Sequence, residues 1–277
     1  MQIRGYGCMG LAGRLSLGVL AFIVLLSIAA PLILPHDPNA IDLDSLRQSP
    51  STRHLLGTDN KGRDILARLL HGAKISIGIS VLAALVSMTI GLAVGLVSGY
   101  VGGKIDTALM SLVDLILSFP ALLLAIGISI VLPAGIYSVM IALSAVGWAS
   151  FARLIRGHIL SLKEIAFIEA ARSLGCTGSR IMIVHLLPQC IPLALVMAGL
   201  KAGGYILTEA GLSFLGLGAQ PPTATWGSMI STSRVFISSA SWMVFPPGIM
   251  IAVTAVCFNL LGDALKEKYD VRDGKGL

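Results

Sequence analysis

An all-α, polytopic membrane protein of about six transmembrane helices is the fold class this sequence predicts, and three observations predict it. Hydrophobic residues make up 55% of the 277-residue chain and charged residues only 12%, against roughly 25% charged in soluble domains. So few charges cannot clothe a water-facing surface. The mean hydropathy is +0.87. Finally, the apolar residues come in runs of about 20, enough to cross a ~30 Å hydrocarbon core at 1.5 Å per residue, with most charges gathered between them. In lipid each run must be helical, because unpaired backbone groups there cost several kcal/mol.

The first run, Leu15 to Leu34, exceeds the ~7–15-residue core of a signal peptide and precedes no small-x-small cleavage site, so it is expected to remain as the first span. The second span is expected over Ile75–Val101 and the third over Thr107–Leu132. Pro133, Ala134 and Gly135 predict a tight turn into the fourth, Ile136–Arg156. The fifth runs from Ile191 to Ile206 or slightly beyond, and the sixth covers Met243–Leu261. Residues 1–74 therefore comprise a tail, the first helix and a long polar segment. Residues 75–277 comprise a five-helix core that carries the polar segment 157–189. The 31 glycines often recur at small-xxx-small spacing, as Gly91, Gly95 and Gly99 do, which predicts close helix–helix packing rather than a ligand role.

Orientation follows from lysine and arginine placement. With the N-terminus inside, the inner segments carry twelve: Arg4, Arg14, Lys104, Arg153, Arg156, Lys163, Arg172, Arg180, Lys266, Lys268, Arg272 and Lys275. The outer segments carry seven: Arg47, Arg53, Lys61, Arg63, Arg68, Lys74 and Arg234. Both termini are expected inside. The +6 charge belongs to this pattern, and without a basic stripe or an aromatic platform no nucleic-acid partner is expected. Cys8, Cys176, Cys190 and Cys257 form no CxxC pair, so neither a disulfide framework nor a zinc site is expected. His36, His54 and His71 fall in the outer segment without ligand spacing and are expected to be ordinary loop histidines, with no metal site.

The inner segment 157–189 carries the most information. Ser161–Leu174 has helix-forming composition and an apolar stripe at Leu162, Ile165, Ile168 and Ala170–Ala171, yet it is too short and too charged to cross a bilayer. Gly175 is placed to stop it. Thr177 or Ser179 can cap a second helix that includes Ile181–Leu187, and Pro188 marks entry to the fifth span. Two readings fit such a displayed helix: an amphipathic helix resting on headgroups, or one that seats in a protein groove.

Within the spans lie Asp114, Lys201 and Glu209, and charges in hydrocarbon usually face a cavity or a partner. Lys201 and Glu209 are eight residues apart and are expected to share a helix face. There they could line a solute path, or they could pair with a neighbouring helix or subunit.

Glu169-Ala170-Ala171, Gly175 and Leu187-Pro188 together resemble the EAA loop of bacterial ABC importer permeases, with His185 where the family pattern has isoleucine. The external stretch Leu56–Asp64 with Arg68-Leu69, and the stretch Gly211–Gly218 with Pro221-Pro222 and Thr225-Trp226-Gly227, resemble the dipeptide/oligopeptide/nickel group and, within it, the C-side subunit of a heterodimeric pair. This resemblance implies a multi-pass, non-catalytic subunit of the bacterial inner membrane that moves dipeptides or oligopeptides inward, with nickel or another small solute as the alternative cargo. It implies a second permease, two ATPase subunits that carry the ATP and magnesium, and an extracytoplasmic substrate-binding protein. Glu169, Ala170, Ala171, Gly175, Leu187 and Pro188 are then the ATPase-coupling residues. The external stretch 58–68, a solvated loop by default, would contact the binding protein or the paired permease. No GxxxxGK[ST] phosphate loop is present. A stand-alone secondary transporter would need coupling-ion carboxylates and inverted repeats, for which only Asp114 is a candidate. An intramembrane hydrolase would need a catalytic set within the spans, and Ser150 alone is not one.

Overall fold

A computed structural model describes residues 10–34 and 36–269; Arg4, Cys8, Arg272 and Lys275 lie outside the described residues. Helix α1 (Leu11–Ile33) buries a single stripe, Ser16, Leu20, Ile23, Ser27 and Ala30, whose three- and four-residue steps keep it on one face. That face packs on the last long helix and on α2, and the rest of α1 is apolar and exposed.

Helix α2 (Ile65–Val101) begins ten residues before the expected start of the second span, because the Asp64 side chain accepts a hydrogen bond from the Ala67 amide at 2.8 Å and caps it. Its 37 residues extend about 55 Å. Gly102 and Gly103 turn the chain with φ of 69° and 57°, a left-handed conformation that glycine adopts without penalty. Helix α5 (Ile136–Leu162) lies along α2 in the most extensive helix pair of the molecule. Gly91, Gly95 and Gly99 form the seam: a Cβ at any of them would come within 2.2–2.8 Å of α5, at Phe151, Ala152 and Ile159 respectively. The glycine spacing is therefore a packing device, as expected.

The third span is not one helix. Helix α3 (Gly103–Leu117) and helix α4 (Ala121–Val131) meet at a 90° bend. Pro120 has no N–H to continue α3 and disfavours helical backbone at Phe119, so the chain breaks there despite uninterrupted hydropathy. At 1.5 Å per residue, neither piece reaches across ~30 Å alone. Among the described residues, five helices are long and apolar enough to cross a membrane, or six if α3 and α4 form one broken span.

After α5 come α6 (Ala166–Ser173), α7 (Gly178–Arg180) and a π-helical stretch, Ile181–Leu186, that leads directly into α8 (Leu187–Phe214). Pro188 is not a break between a loop helix and a span, since residues 178–214 form one continuous helix. The widened π turn sits just before Pro188, whose ring crowds the carbonyl four residues back and which cannot donate. The short helix α9 (Trp226–Ser233), opened by a Thr225/Ser228 capping box, and α10 (Phe245–Lys268) are the last α-helices among the described residues.

The connections segregate to opposite ends of α2. Lys163 Nζ donates to the Gly99 carbonyl at 3.5 Å, and Gly10 lies beside Glu267, so α6 and both described chain ends share the Val101 end. Residues 36–64 and α9 lie at the Ile65 end, where Trp226 Nε1 donates to the Leu69 carbonyl at 3.0 Å. The 58–68 stretch is not a solvated loop: Thr58, Asp59, Arg63, Asp64 and Arg68 are all buried. Asp59 accepts from the Lys61 and Arg63 amides at 2.8 and 3.0 Å and from Arg63 Nε at 2.7 Å. Arg68 lies 3.7 Å from the same carboxylate and donates to the Pro38 carbonyl at 2.9 Å. The alternating charges neutralise one another inside a folded knot.

Candidate functional site

Helix α6 is attached by one face and displayed by the other. Ile168 and Ala171 are buried on Leu96, Ile155, Ile159, Ile181 and Leu186, at the ends of α2, α5 and the helix leading into α8. Arg172 adds a cation–π contact to Tyr100, 5.3 Å above the ring, and Phe167 meets His185 edge-on at 6.3 Å. Outward stand Phe167, Glu169, Ala170, Leu174 and Gly175, all exposed, with Leu174 85% accessible. Phe167, Ala170 and Leu174 follow i, i+3, i+7 spacing, so they form one apolar face beside a carboxylate. The expected stripe is corrected at Ile165 and Ala170, which face out.

The stop at Gly175 follows from backbone hydrogen bonding. The Cys176 amide donates to the Ala171 carbonyl at 3.1 Å and the Gly175 amide to Arg172 at 2.9 Å, the paired closure of a Schellman motif. Gly175 supplies the required φ of +80°. Thr177 is the N-cap residue of the next helix, without a side-chain cap bond. Leu187 is half-buried and Pro188 exposed on the helix that follows.

The three charges within the spans do not converge. Asp114 on α3 pairs with Arg153 of α5, both more than half exposed. Lys201 donates to Ser150 Oγ at 3.3 Å and lines a cavity of about 70 Å³ with Phe119, Tyr205 and Thr208. Glu209 faces elsewhere: it is 1% exposed and accepts from Ser213 Oγ at 2.8 Å and Ser76 Oγ at 3.3 Å. Eight residues rotate an α-helix about 80° past two turns, enough to send Lys201 to the cavity and Glu209 into the α2–α9 contact. Spacing alone therefore overstated their shared face.

Several residues escaped the sequence reading. Asp106 forms a bidentate pair with Arg156, at 2.6 and 2.7 Å, that joins α3 to α5; an acid four positions into α3 was its only signal. Phe167, Leu174 and the Arg172–Tyr100 contact complete α6. The histidines are not scattered either. His36 and His54 lie with ring centroids 4.9 Å apart and planes tilted by 42°, His54 Nδ1 lies 2.9 Å from Asp64 Oδ2, and His36 and His71 both line a 450 Å³ pocket.

Comparison with known proteins matches this architecture. Residues 91–271 match the family described as binding-protein-dependent transport system inner membrane component, and residues 12–50 match the N-terminal TM domain of oligopeptide transport permease C. The glutathione transport system permease protein GsiD of Salmonella typhimurium is 43% identical, over 91% of this chain and 84% of that protein. The nickel transport system permease protein NikC of Escherichia coli K12 is 39% identical, over 93% of each. A putative peptide transport system permease of Brucella suis is 39% identical, over 94% of this chain and 87% of its own. A chain from inward-facing structures of the MetNI methionine ABC transporter superposes with a TM-score of 0.60 at 18% identity, covering 76% of this chain and 98% of that one, a likeness of fold. By a family match over most of its length and relatives matched almost end to end, the chain belongs to the binding-protein-dependent transport system inner membrane components, the permease subunits of ABC importers.

Proposed function

We propose that this chain is one of two permease subunits of an importer for dipeptides or oligopeptides, and that α6 is the element through which separate ATPases drive it. The observation that carries the reading is the division of α6 into a buried face, Ile168 and Ala171, and an exposed face, Phe167, Glu169, Ala170 and Leu174. A groove on an ATPase would take the apolar ridge, and Glu169 would meet a cation at its rim. Because Ile168 rests on residues of α2, α5 and the helix leading into α8, a displacement of α6 acts on all three. Rocking of those helices against a partner subunit gives alternating access.

One coupling helix engages one ATPase, so a dimer of ATPases calls for a second permease. ATP and its magnesium then belong to the ATPases, and this subunit does no hydrolysis. The twelve-to-seven excess of basic residues supports the α6 end and both termini on the cytoplasmic side and the 36–64 knot on the outer face. There the knot would meet a solute-binding protein or the paired permease. Lys201, on its cavity, is the candidate to meet a peptide carboxylate, and Asp114 and Glu209 are assigned to packing. Relatives named for peptides and glutathione favour peptide cargo; the nickel-system relative supports nickel as the second reading.

Co-purification tests the coupling role. ATPase subunits should accompany the wild-type chain from membranes and be lost with Glu169→Lys plus Gly175→Asp while the chain still inserts. A stably folded wild type that never retains an ATPase refutes the reading. Uptake of labelled dipeptide against nickel ion in cells lacking the endogenous systems separates the two cargoes.

A further inference from the structure

We infer that His36 and His54, with Asp64 behind them, form a binding site for one divalent transition-metal cation in the folded segment at the Ile65 end of the bundle. The chain brings them together over 28 residues of sequence. His36 follows α1, His54 lies in the middle of the segment, and Asp64 caps α2. A ring nitrogen of each histidine and a carboxylate oxygen of Asp64 all lie within 4.8 Å of one another.

The hydrogen bonding prepares the site. Asp64 uses Oδ1 to accept from the Ala67 amide at 2.8 Å, which holds its carboxylate in place, and its Oδ2 lies 2.9 Å from His54 Nδ1. That contact puts the His54 proton on Nδ1 and leaves Nε2 as a lone pair. His54 is 3% exposed, and among the described residues its Nε2 has no hydrogen-bond partner. A buried acceptor without a partner costs about 1–3 kcal/mol, and a cation on Nε2 removes that cost. A carboxylate behind a ligating imidazole is also the usual support of such a ligand.

His36, half-buried and 4.9 Å from the His54 ring, supplies the second imidazole. Two nitrogens on one metal at 2.0–2.1 Å sit roughly 3.3 Å apart, so binding calls for His36 to close on His54 by side-chain rotation. His36 also lines the 450 Å³ pocket with Asp37 and His71, so a cation can reach His36 from that side. Two imidazoles select zinc, nickel or copper over magnesium or calcium. The bound cation would tie the end of α1 to the cap of α2.

The test uses the full-length chain in detergent, carrying an affinity tag without histidines and stripped with chelator. Calorimetric titration with zinc chloride should give one saturable site per chain, magnesium chloride should give none, and zinc should raise the melting temperature. His36→Gln should weaken zinc at least tenfold while leaving the metal-free melting temperature unchanged. His71→Gln, in the same pocket, should bind as the wild type does. Asp64→Asn should weaken binding 10–100-fold through loss of the orienting contact. Absence of saturable zinc binding, equal affinity in His36→Gln, or equal loss in His71→Gln overturns the site.

Discussion

Replacing Gly91 with alanine tests the seam between α2 and α5. The added Cβ would lie 2.2 Å from Phe151 Cβ, 2.8 Å from the Trp148 carbonyl oxygen and 2.9 Å from the Ala152 amide nitrogen. None of these atoms can rotate away, since two are backbone and the third is fixed to it. Carbon contacts settle near 3.5–4.0 Å, so the helices must part by more than an ångström along their tightest contact. Overpacking of this kind costs about 1–3 kcal/mol, and the gain in helix propensity from alanine offsets up to about 1 kcal/mol of it. Gly78 lies on the same helix with nothing within 4 Å of an added Cβ, so Gly78→Ala should instead stabilise by about 0.5–1 kcal/mol. At roughly 2–4 °C per kcal/mol for a chain of this size, Gly91→Ala should melt several degrees below the wild type and Gly78→Ala slightly above it. The buried thiols Cys190 and Cys257 report unfolding through a thiol-reactive dye in detergent. Equal or higher stability in Gly91→Ala would refute the argument that helix contact distance governs this pair.

Other substitutions probe the remaining parts of the molecule. Asp64→Ala removes the α2 cap, worth about 1 kcal/mol, and strands the buried His54 ring, worth about 1–3 kcal/mol more; earlier melting and faster proteolysis between residues 36 and 64 should follow. Lys201→Met should lower dipeptide uptake with assembly intact, and unchanged uptake would remove Lys201 from the solute path. Glu209→Leu should leave the Ser76 and Ser213 hydroxyls without their shared acceptor and lower the yield of folded protein by a loss of about 1–3 kcal/mol. Whatever protein remains should show an unaltered preference among solutes, and a changed preference would return Glu209 to the path.

The number and rough position of the membrane helices, the glycine seam and the stop at Gly175 were legible in the sequence, because each depends on local chemistry. Hydropathy along a run, small residues at every fourth position and a glycine after a helix act within a few turns of chain. What tertiary structure decided depends on direction and on distant partners. The 90° break between α3 and α4 was hidden because hydropathy averages over a window and is blind to which way the helix points after Pro120. Asp59, Arg63 and Arg68 looked like a solvated loop until the fold enclosed them around one carboxylate. Lys201 and Glu209 lie on one helix, yet different neighbours claim them: α5 takes the lysine, and α2 with α9 surrounds the glutamate. His36, His54 and Asp64 have no motif spacing, since what brings them together is the path of the chain between two helices, and a linear sequence does not display that path.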